Sequence, residues 1–261
     1  MDYTLPETSL IQIKTLEKVN NRGTFVIEPL SPGYGVTIGN SLRRVLLSSL
    51  EGAAIVSCQI EGANHQFTTL PGVREDVVEI ILNLKTLRFN LTSNEPVSLK
   101  LSARGPKVVT AQDFEARGDC EVVNQDAYLA TLSKNGKLNL TITVAKGRGY
   151  VPVEKRKDEK LPIGTIAVDS IFTPVKKVHY EIEKTRVGAE TDFDKLMLEI
   201  TTDGSLDPEV ALGKAAKILV EHFSLVEQAC QEPTAAAKPA RPTKAAAKKT
   251  TKKTVKKAAK K

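Results

Sequence analysis

The chain has 261 residues, 41% of them hydrophobic and 5% aromatic, with no Trp and a formal net charge of +7. That length leaves room for one large domain or two modest ones with a real core. The charge is lopsided: residues 233–261 hold ten Lys and one Arg with no acid, and taking their +11 from the total of +7 leaves −4 for the body. The basic isoelectric point of about 9.2 therefore belongs to the tail. Cys58, Cys120 and Cys230 stand far apart, and an odd count without Cys-x-x-Cys excludes a disulfide framework and a zinc site. The start, MDYTLPETSL, lacks the basic region and apolar run of a signal peptide. No stretch approaches the roughly 18 apolar residues of a membrane span. A cytoplasmic protein with no membrane contact is expected.

Leu10–Val19 and Thr24–Glu28 read as strands around Asn20-Asn21-Arg22-Gly23, whose Asn and Gly suit a hairpin turn. Pro29 and Pro32 lead into a glycine-punctuated loop, Gly33-x-Gly35-x-x-x-Gly39, and then a helix from about residue 38 to 50. Along it Ile38, Leu42, Val45, Leu46, Leu47 and Leu50 cover more than the roughly 100° stripe that one-sided burial uses. Such a helix lies deep in a domain or packs against another chain. Arg43 and Arg44 point about 100° apart, so both cannot serve one site. Strand, glycine loop and helix is also the order of a phosphate-binding turn. The spacing is one residue longer than the dinucleotide fingerprint, and without a Gly-Lys-Ser/Thr ending a P-loop is excluded. The competing reading is that these glycines supply positive φ and close backbone approach.

Residues 54–61 alternate, with Val56, Cys58 and Ile60 on one face of an expected strand. Val77, Ile80, Ile81 and Leu84 predict a helix over Val73–Leu84, with Glu75 and Asp76 in its first turn against the helix dipole. From 96 to 145 the period becomes two: Val97, Leu99 and Leu101 alternate, as do Leu138, Leu140, Ile142 and Val144. Asn135-Gly136 predicts a hairpin between Tyr128–Leu132 and that second run. A charged loop over 153–161 and strands at 163–168, 175–183 and 195–201 follow. Asp207-Pro208-Glu209 opens the last helix with an N-cap, a proline at the first helical position and an acid. Leu212, Leu219 and Val226 recur every seven residues with Ala215, Ala216 and Phe223 between them, the pattern of a helix packed lengthwise on another. After Glu232 the Ala, Lys, Thr and Pro composition cannot offset chain entropy, so a disordered tail is expected. Helix-rich ends around a period-two middle give the class α+β.

No catalytic constellation emerges. His65, His179 and His222 belong to no metal motif, no Gly-x-Ser-x-Gly elbow occurs, and Glu75, Asp76 and Glu79 share a solvated face. No catalytic residue, metal or cofactor is therefore expected. The two apolar helices suit a two-fold interface.

The string EPLSPGYGVTIGNSLRRVLLSSLEGAAI resembles the signature of the bacterial DNA-directed RNA polymerase alpha subunit, in its N-terminal assembly region. GVREDVVEIILNLK at 72–85, GRGYVP at 147–152, PIGTIAVDSIFTPV at 162–175 and TDFDKLMLEITTDGSLDPEVAL at 191–212 recur in the family's order, so the likeness covers most of residues 10–230. It implies a discontinuous dimerisation domain, residues 1–52 and 176–231, interrupted by a β-rich insert domain at 53–175 and followed by a disordered Lys-rich tail at 232–261. It gives Gly33, Gly35 and Gly39 a structural task. It implies a homodimer through Leu42, Leu46, Leu50, Leu212, Leu219, Phe223 and Val226. That dimer nucleates assembly of the large beta and beta-prime subunits, which carry the catalytic centre of the nucleotidyltransferase. Arg44 and Leu47 match positions that dock the beta subunit, and Lys85, Val168 and Arg186 match positions that contact beta-prime. The family continues into a small C-terminal domain that touches upstream DNA; here the Lys-rich tail is expected in its place. Lys248, Lys249, Lys252, Lys253, Lys256 and Lys257 are expected to hold DNA phosphates without reading sequence, and without aromatics among them base stacking plays no part. Two rivals stay open: a nucleotide-binding enzyme built on the Gly33–Gly39 turn, and a free-standing basic DNA-compacting protein.

Overall fold

The computed structural model describes residues 11–156, 162, 164–187 and 190–231. Of the loop expected over 153–161, Val153–Arg156 form a short 3-10 turn, whereas 157–161 and the tail lie outside the described residues. Of the described residues, those up to Phe223 belong to one compact unit and those from Ser224 to another.

The first hairpin follows the local chemistry. β1 (Gln12–Val19) and β2 (Arg22–Leu30) are joined by Asn20 and Asn21, with Val19 opposite Arg22. Asn20 takes φ 47°, a left-handed conformation that asparagine tolerates better than most residues. α1 (Tyr34–Ser48) then begins four residues earlier than expected, so Gly35 and Gly39 lie inside the helix and not in a loop. Its buried stripe is Gly35, Gly39, Leu42 and Leu46, spaced to one face. A Cβ on Gly39 would stand 2.9 Å from the Tyr180 ring and 3.0 Å from Leu196. Helical glycine is disfavoured by about 1 kcal/mol; here it brings the helix axis close to the strands beneath it.

β3 (Glu51–Ile60) carries a bulge between Ile55 and Ser57, which shifts the alternation and leaves Val56 only half-buried while Ile55, Cys58 and Ile60 face the core. α2 (Val77–Lys85) begins later than expected. Glu75 is not in its first turn: it is buried, and accepts the Thr131 N–H at 2.7 Å and the Tyr128 hydroxyl. That long-range anchor lies in a bend, and only Asp76, with extended backbone, separates it from the helix. Next come β4 (Phe89–Leu91), β5 (Val97–Arg104), β6 (Lys107–Thr110), β7 (Cys120–Val122), β8 (Tyr128–Leu132) and β9 (Lys137–Arg148). The Asn135-Gly136 turn does not close a hairpin. β8 pairs with β6, whereas β9 pairs with β5 and β3. The turn instead docks on Gly72, whose carbonyl accepts the Ser133 N–H at 2.9 Å, and a Cβ on Gly136 would meet that carbonyl oxygen at 2.3 Å. The turn dipeptide specified a reversal; the strand's partners were decided by its apolar face.

β10 (Tyr150–Val151), β11 (Thr165–Ala167), β12 (Ser170–Ile171), β13 (Val175–Val187), β14 (Glu190–Thr202) and α3 (Pro208–Gln231) complete the chain. One antiparallel sheet has the order β1-β2-β14-β13 and a larger one β5-β9-β3-β4-β7, with β11 added to β3. Phe25, Ile27, Leu42, Leu46, Leu50, Leu196, Leu198, Ile200, Ala211 and Ala215 share one core, so the two ends of this unit's chain meet. A second core runs from Ile55 to Val168 around the larger sheet and α2. β5 alternates buried and exposed throughout, as its period of two requires. The class is α+β. Among the described residues no helix is long and apolar enough to cross a membrane.

Candidate functional site

The N-terminus of α1 is where a phosphate would sit if the glycine turn held one. Gly33 has φ +87° and provides no side-chain cap. Asp194 of β14 reaches this end from 161 positions away: its Oδ2 accepts the Gly33 N–H at 2.8 Å and the Gly35 N–H at 3.2 Å. Its Oδ1 accepts from Lys184 Nζ at 3.0 Å, and Lys184 also pairs with Asp192 at 2.9 Å. Asp194 is 3% exposed. Burial pushes its carboxyl upward, yet Lys184 and the two glycine N–H groups outweigh that and hold it below the usual carboxylate range. The helix dipole and the orphan N–H groups are thus answered by the chain's own carboxylate. A nucleotide phosphate cannot take those two N–H groups while Asp194 stays.

The opposite side of α1 is open. Arg44 and Leu47, three positions apart, share an exposed face. Ser48 Oγ donates to the Arg44 carbonyl at 2.7 Å, tying down the helix end. Neither Arg43 nor Arg44 has a carboxylate partner among the described residues. By contrast Leu42, Leu46 and Leu50, expected at a dimer interface, are buried in the protomer's own core. They have no surface left to give a second chain, and can only support an interface from beneath.

Lys85 and Val168 come together at another corner, where both line one small crevice. Lys85 Nζ donates to Asp169 Oδ2 at 3.0 Å, and the Val153 N–H to Asp169 Oδ1 at 3.0 Å. That backbone N–H, with Lys85 behind it, holds the Asp169 carboxyl below its usual range. Arg156 crosses the same corner, donating to the Val56 carbonyl at 3.1 Å, to Ser170 Oγ at 3.2 Å and to the Val168 carbonyl. Val168 is 2% exposed, so its side chain packs inward and only its backbone faces this network. Arg186 is exposed on β13.

On α3, Ala211 and Ala215 are buried, and Leu212 and Leu219 lean on the same core. Phe223, 65% exposed, and Val220 are not covered. In the second unit, described by itself, Leu225 and Val226 are exposed. Cys58 and Cys120 are buried and unpaired, and no group of three His, Cys, Asp or Glu among the described residues could hold a metal ion.

Residues 58–173 match the model of the RNA polymerase Rpb3/RpoA insert domain. A DNA-directed RNA polymerase subunit alpha of Alkaliphilus metalliredigens is 53% identical over 219 residues, 84% of this chain and 70% of that protein. Those of Symbiobacterium thermophilum, 53% over 219 residues, and Rubrobacter xylanophilus, 51% over 225 residues, align over 84% and 86% of this chain and 70% and 72% of their own. The chain belongs to the DNA-directed RNA polymerase alpha-subunit family. The stretch matched by the insert-domain model spans most of the larger core, from Cys58 to Val168. Within this alpha-family chain, sequence reasoning missed Asp194, Asp169 and Arg156. Each acts on a partner far away along the chain, and none sits in a pattern with its own period.

Proposed function

We propose that the chain is a non-catalytic assembly subunit of RNA polymerase, acting in the cytoplasm as a homodimer on which the beta and beta-prime subunits gather. The observation that carries the dimer is Phe223, left two-thirds exposed on a long helix whose inner face is already spent on Ala211 and Ala215. An aromatic side chain so placed is what a helix-on-helix, two-fold contact covers. Val220, absent from the heptad reading, joins it, while Leu212 and Leu219 at its margin are half-buried. In the second unit, Val226 is proposed as an interface residue in its own right. In this reading residues 1–52 and 176–231 form the dimerisation domain, 53–175 the insert, and 232–261 a separate basic tail.

Arg44 and Leu47 are the proposed beta-docking pair. A guanidinium with no carboxylate partner among the described residues suits a carboxylate on another chain. Lys85 and Arg186 are the proposed beta-prime contacts, with Val168 acting through the backbone it positions. Lys248, Lys249, Lys252, Lys253, Lys256 and Lys257 are proposed to bind DNA by counterion release. Affinity of the full chain for duplex DNA should fall steeply with salt, and a chain cut after Glu232 should lose that dependence. Equal, weak binding by both would remove the DNA role.

The dimer is tested by sedimentation of the full chain. Wild type should sediment at twice the 28.4 kDa chain mass, and Phe223→Asp at the single mass with an unchanged circular dichroism spectrum. A Phe223→Asp dimer as tight as wild type would defeat the reading.

A further inference from the structure

The basic residues of the body are not spread evenly. Residues 96–112 and 127–153 hold seven Lys and Arg and no acid, and taking their +7 from the body's −4 leaves −11 for the rest. The fold lays the two runs side by side, because β5 and β9 pair antiparallel. Val97, Leu99, Leu101 and Ala103 face the core, so Ser98, Lys100, Ser102 and Arg104 line the outer face of β5. Opposite them β9 sets Lys137 against Arg104, Asn139 against Ser102 and Thr141 against Lys100.

Like charges directly opposite each other destabilise a sheet, so Arg104 beside Lys137 weakens the strand pair it stands in. One acid answers both cations: Glu61 accepts from Lys137 Nζ at 3.0 Å and from Asn139, while Arg104 acts on it from further off. Lys100, Arg104 and Lys134 have no carboxylate at ion-pair distance among the described residues. Glu115 donates its N–H to the Lys100 carbonyl at 2.9 Å, yet makes no ion pair with that lysine. The backbone fixes this arrangement. Gly105, at φ +78°, turns the chain beyond Arg104, and its N–H donates to the Gly136 carbonyl at 3.1 Å, which ties that turn to the one bearing Lys134. Ser102 Oγ donates to Asn139 Oδ1 at 2.9 Å across the two strands.

We infer that this strip docks an acidic segment of another protein, whose carboxylates take the places beside Lys100 and Arg104 that no acid of this chain fills. Donor-only cations interleaved with hydroxyl and amide groups suit carboxylate oxygens. None of the strip's side chains is aromatic, so unpaired bases have nothing to stack on. A long duplex would reach past the strip to the acidic remainder of the body, which repels it. A second copy set face to face would put cations against cations.

The test footprints the full chain with a lysine-acetylating reagent, read by mass spectrometry, beside a polyglutamate peptide or a neutral Gly-Ser peptide. Saturating polyglutamate should slow acetylation of Lys100 and Lys134 about 10-fold, in keeping with close charge pairing at an interface. Lys176 and Lys177, exposed on β13, should keep their rates. Arg104→Glu should abolish the protection of Lys100 and Lys134 and leave that of the tail lysines unchanged. Arg104→Thr, the milder variant, should lose most of the same protection and melt no earlier than wild type, since it removes a like-charge pair. Absence of protection at Lys100 and Lys134, equal protection of Lys176 and Lys177, or protection that survives both variants overturns the inference. An Arg104→Thr protein that melts earlier also overturns it, by making the pair structural. Protection by duplex DNA and not by polyglutamate names nucleic acid as the occupant, and self-association that Arg104→Glu abolishes names a second copy; either result overturns the proposal.

Discussion

Replacing Asp194 by Asn removes a charge from the N-terminus of α1 while keeping the side chain's shape. One amide oxygen can still accept the Gly33 and Gly35 N–H groups now held at 2.8 and 3.2 Å. Each bond changes from charge-assisted to neutral, a loss of about 1 kcal/mol apiece. The Lys184 pair adds little, since the lysine side chain is mostly in solvent. Asp194→Asn should therefore cost about 2 kcal/mol, and Asp194→Ala, which leaves both N–H groups without a protein acceptor, about 4. At about 2–4 °C per kcal/mol for a protein of this size, the expected drops in melting temperature are about 6 and 12 °C. Urea unfolding at fixed chain concentration is the assay, because dimerisation makes apparent stability concentration-dependent. The pH dependence adds a second reading. The folded Asp194 carboxyl is held below its unfolded value, so its stabilisation is present above the ordinary carboxylate range and lost as pH falls through the folded pKa. The gap between wild type and Asp194→Asn should narrow on acidification. Equal stabilities at neutral pH, or a gap that does not change with pH, would refute the capping argument.

Gly39→Val should destabilise by about 1–3 kcal/mol in the same assay, because its Cβ would stand 2.9 Å from the Tyr180 ring and 3.0 Å from Leu196; a neutral effect would mean α1 is not held tightly on the sheet. Arg88→Leu leaves Asp203, whose side chain is 6% exposed, with only the Ser205 N–H and hydroxyl as side-chain partners among the described residues. It should cost about 2–3 kcal/mol, and adding Asp203→Asn should restore part of that, which a double-mutant cycle by urea unfolding would report. Burial pushes the thiols of Cys58 and Cys120 up to about 12 and about 11. A disulfide reagent at pH 8 should label exposed Cys230 quickly and the other two only after denaturation; rapid labelling of all three in the native protein would contradict the packing.

What the sequence revealed was local. Asn20-Asn21 and Asp207-Pro208-Glu209 specify their turn and helix start through side chains and φ angles within four residues, and the alternation on β5 needs only its own period. Asp194 was invisible because nothing near it signals a partner 161 positions away. Glu75 read as a helix-dipole acid, but its hydrogen bonds to β8 stopped the helix from starting there. The bulge in β3 reversed the phase that had placed Val56 inside. Periodicity along α1 counts apolar residues without saying which the protomer buries itself: Leu42, Leu46 and Leu50, which the resemblance places at a dimer interface, lie in the core, and Leu47 alone of these leucines reaches solvent. The glycines of that stretch were legible as either anion turn or close packing. Only the Asp194 carboxylate chose between them.

The most direct test of the assembly role is the stoichiometry of the particle formed when the full chain meets purified beta subunit, read by light scattering after size exclusion. The account predicts two copies of the chain with one beta, and loss of that particle with Phe223→Asp. A particle with one copy of the chain per beta, equally stable in Phe223→Asp, would contradict a dimeric scaffold.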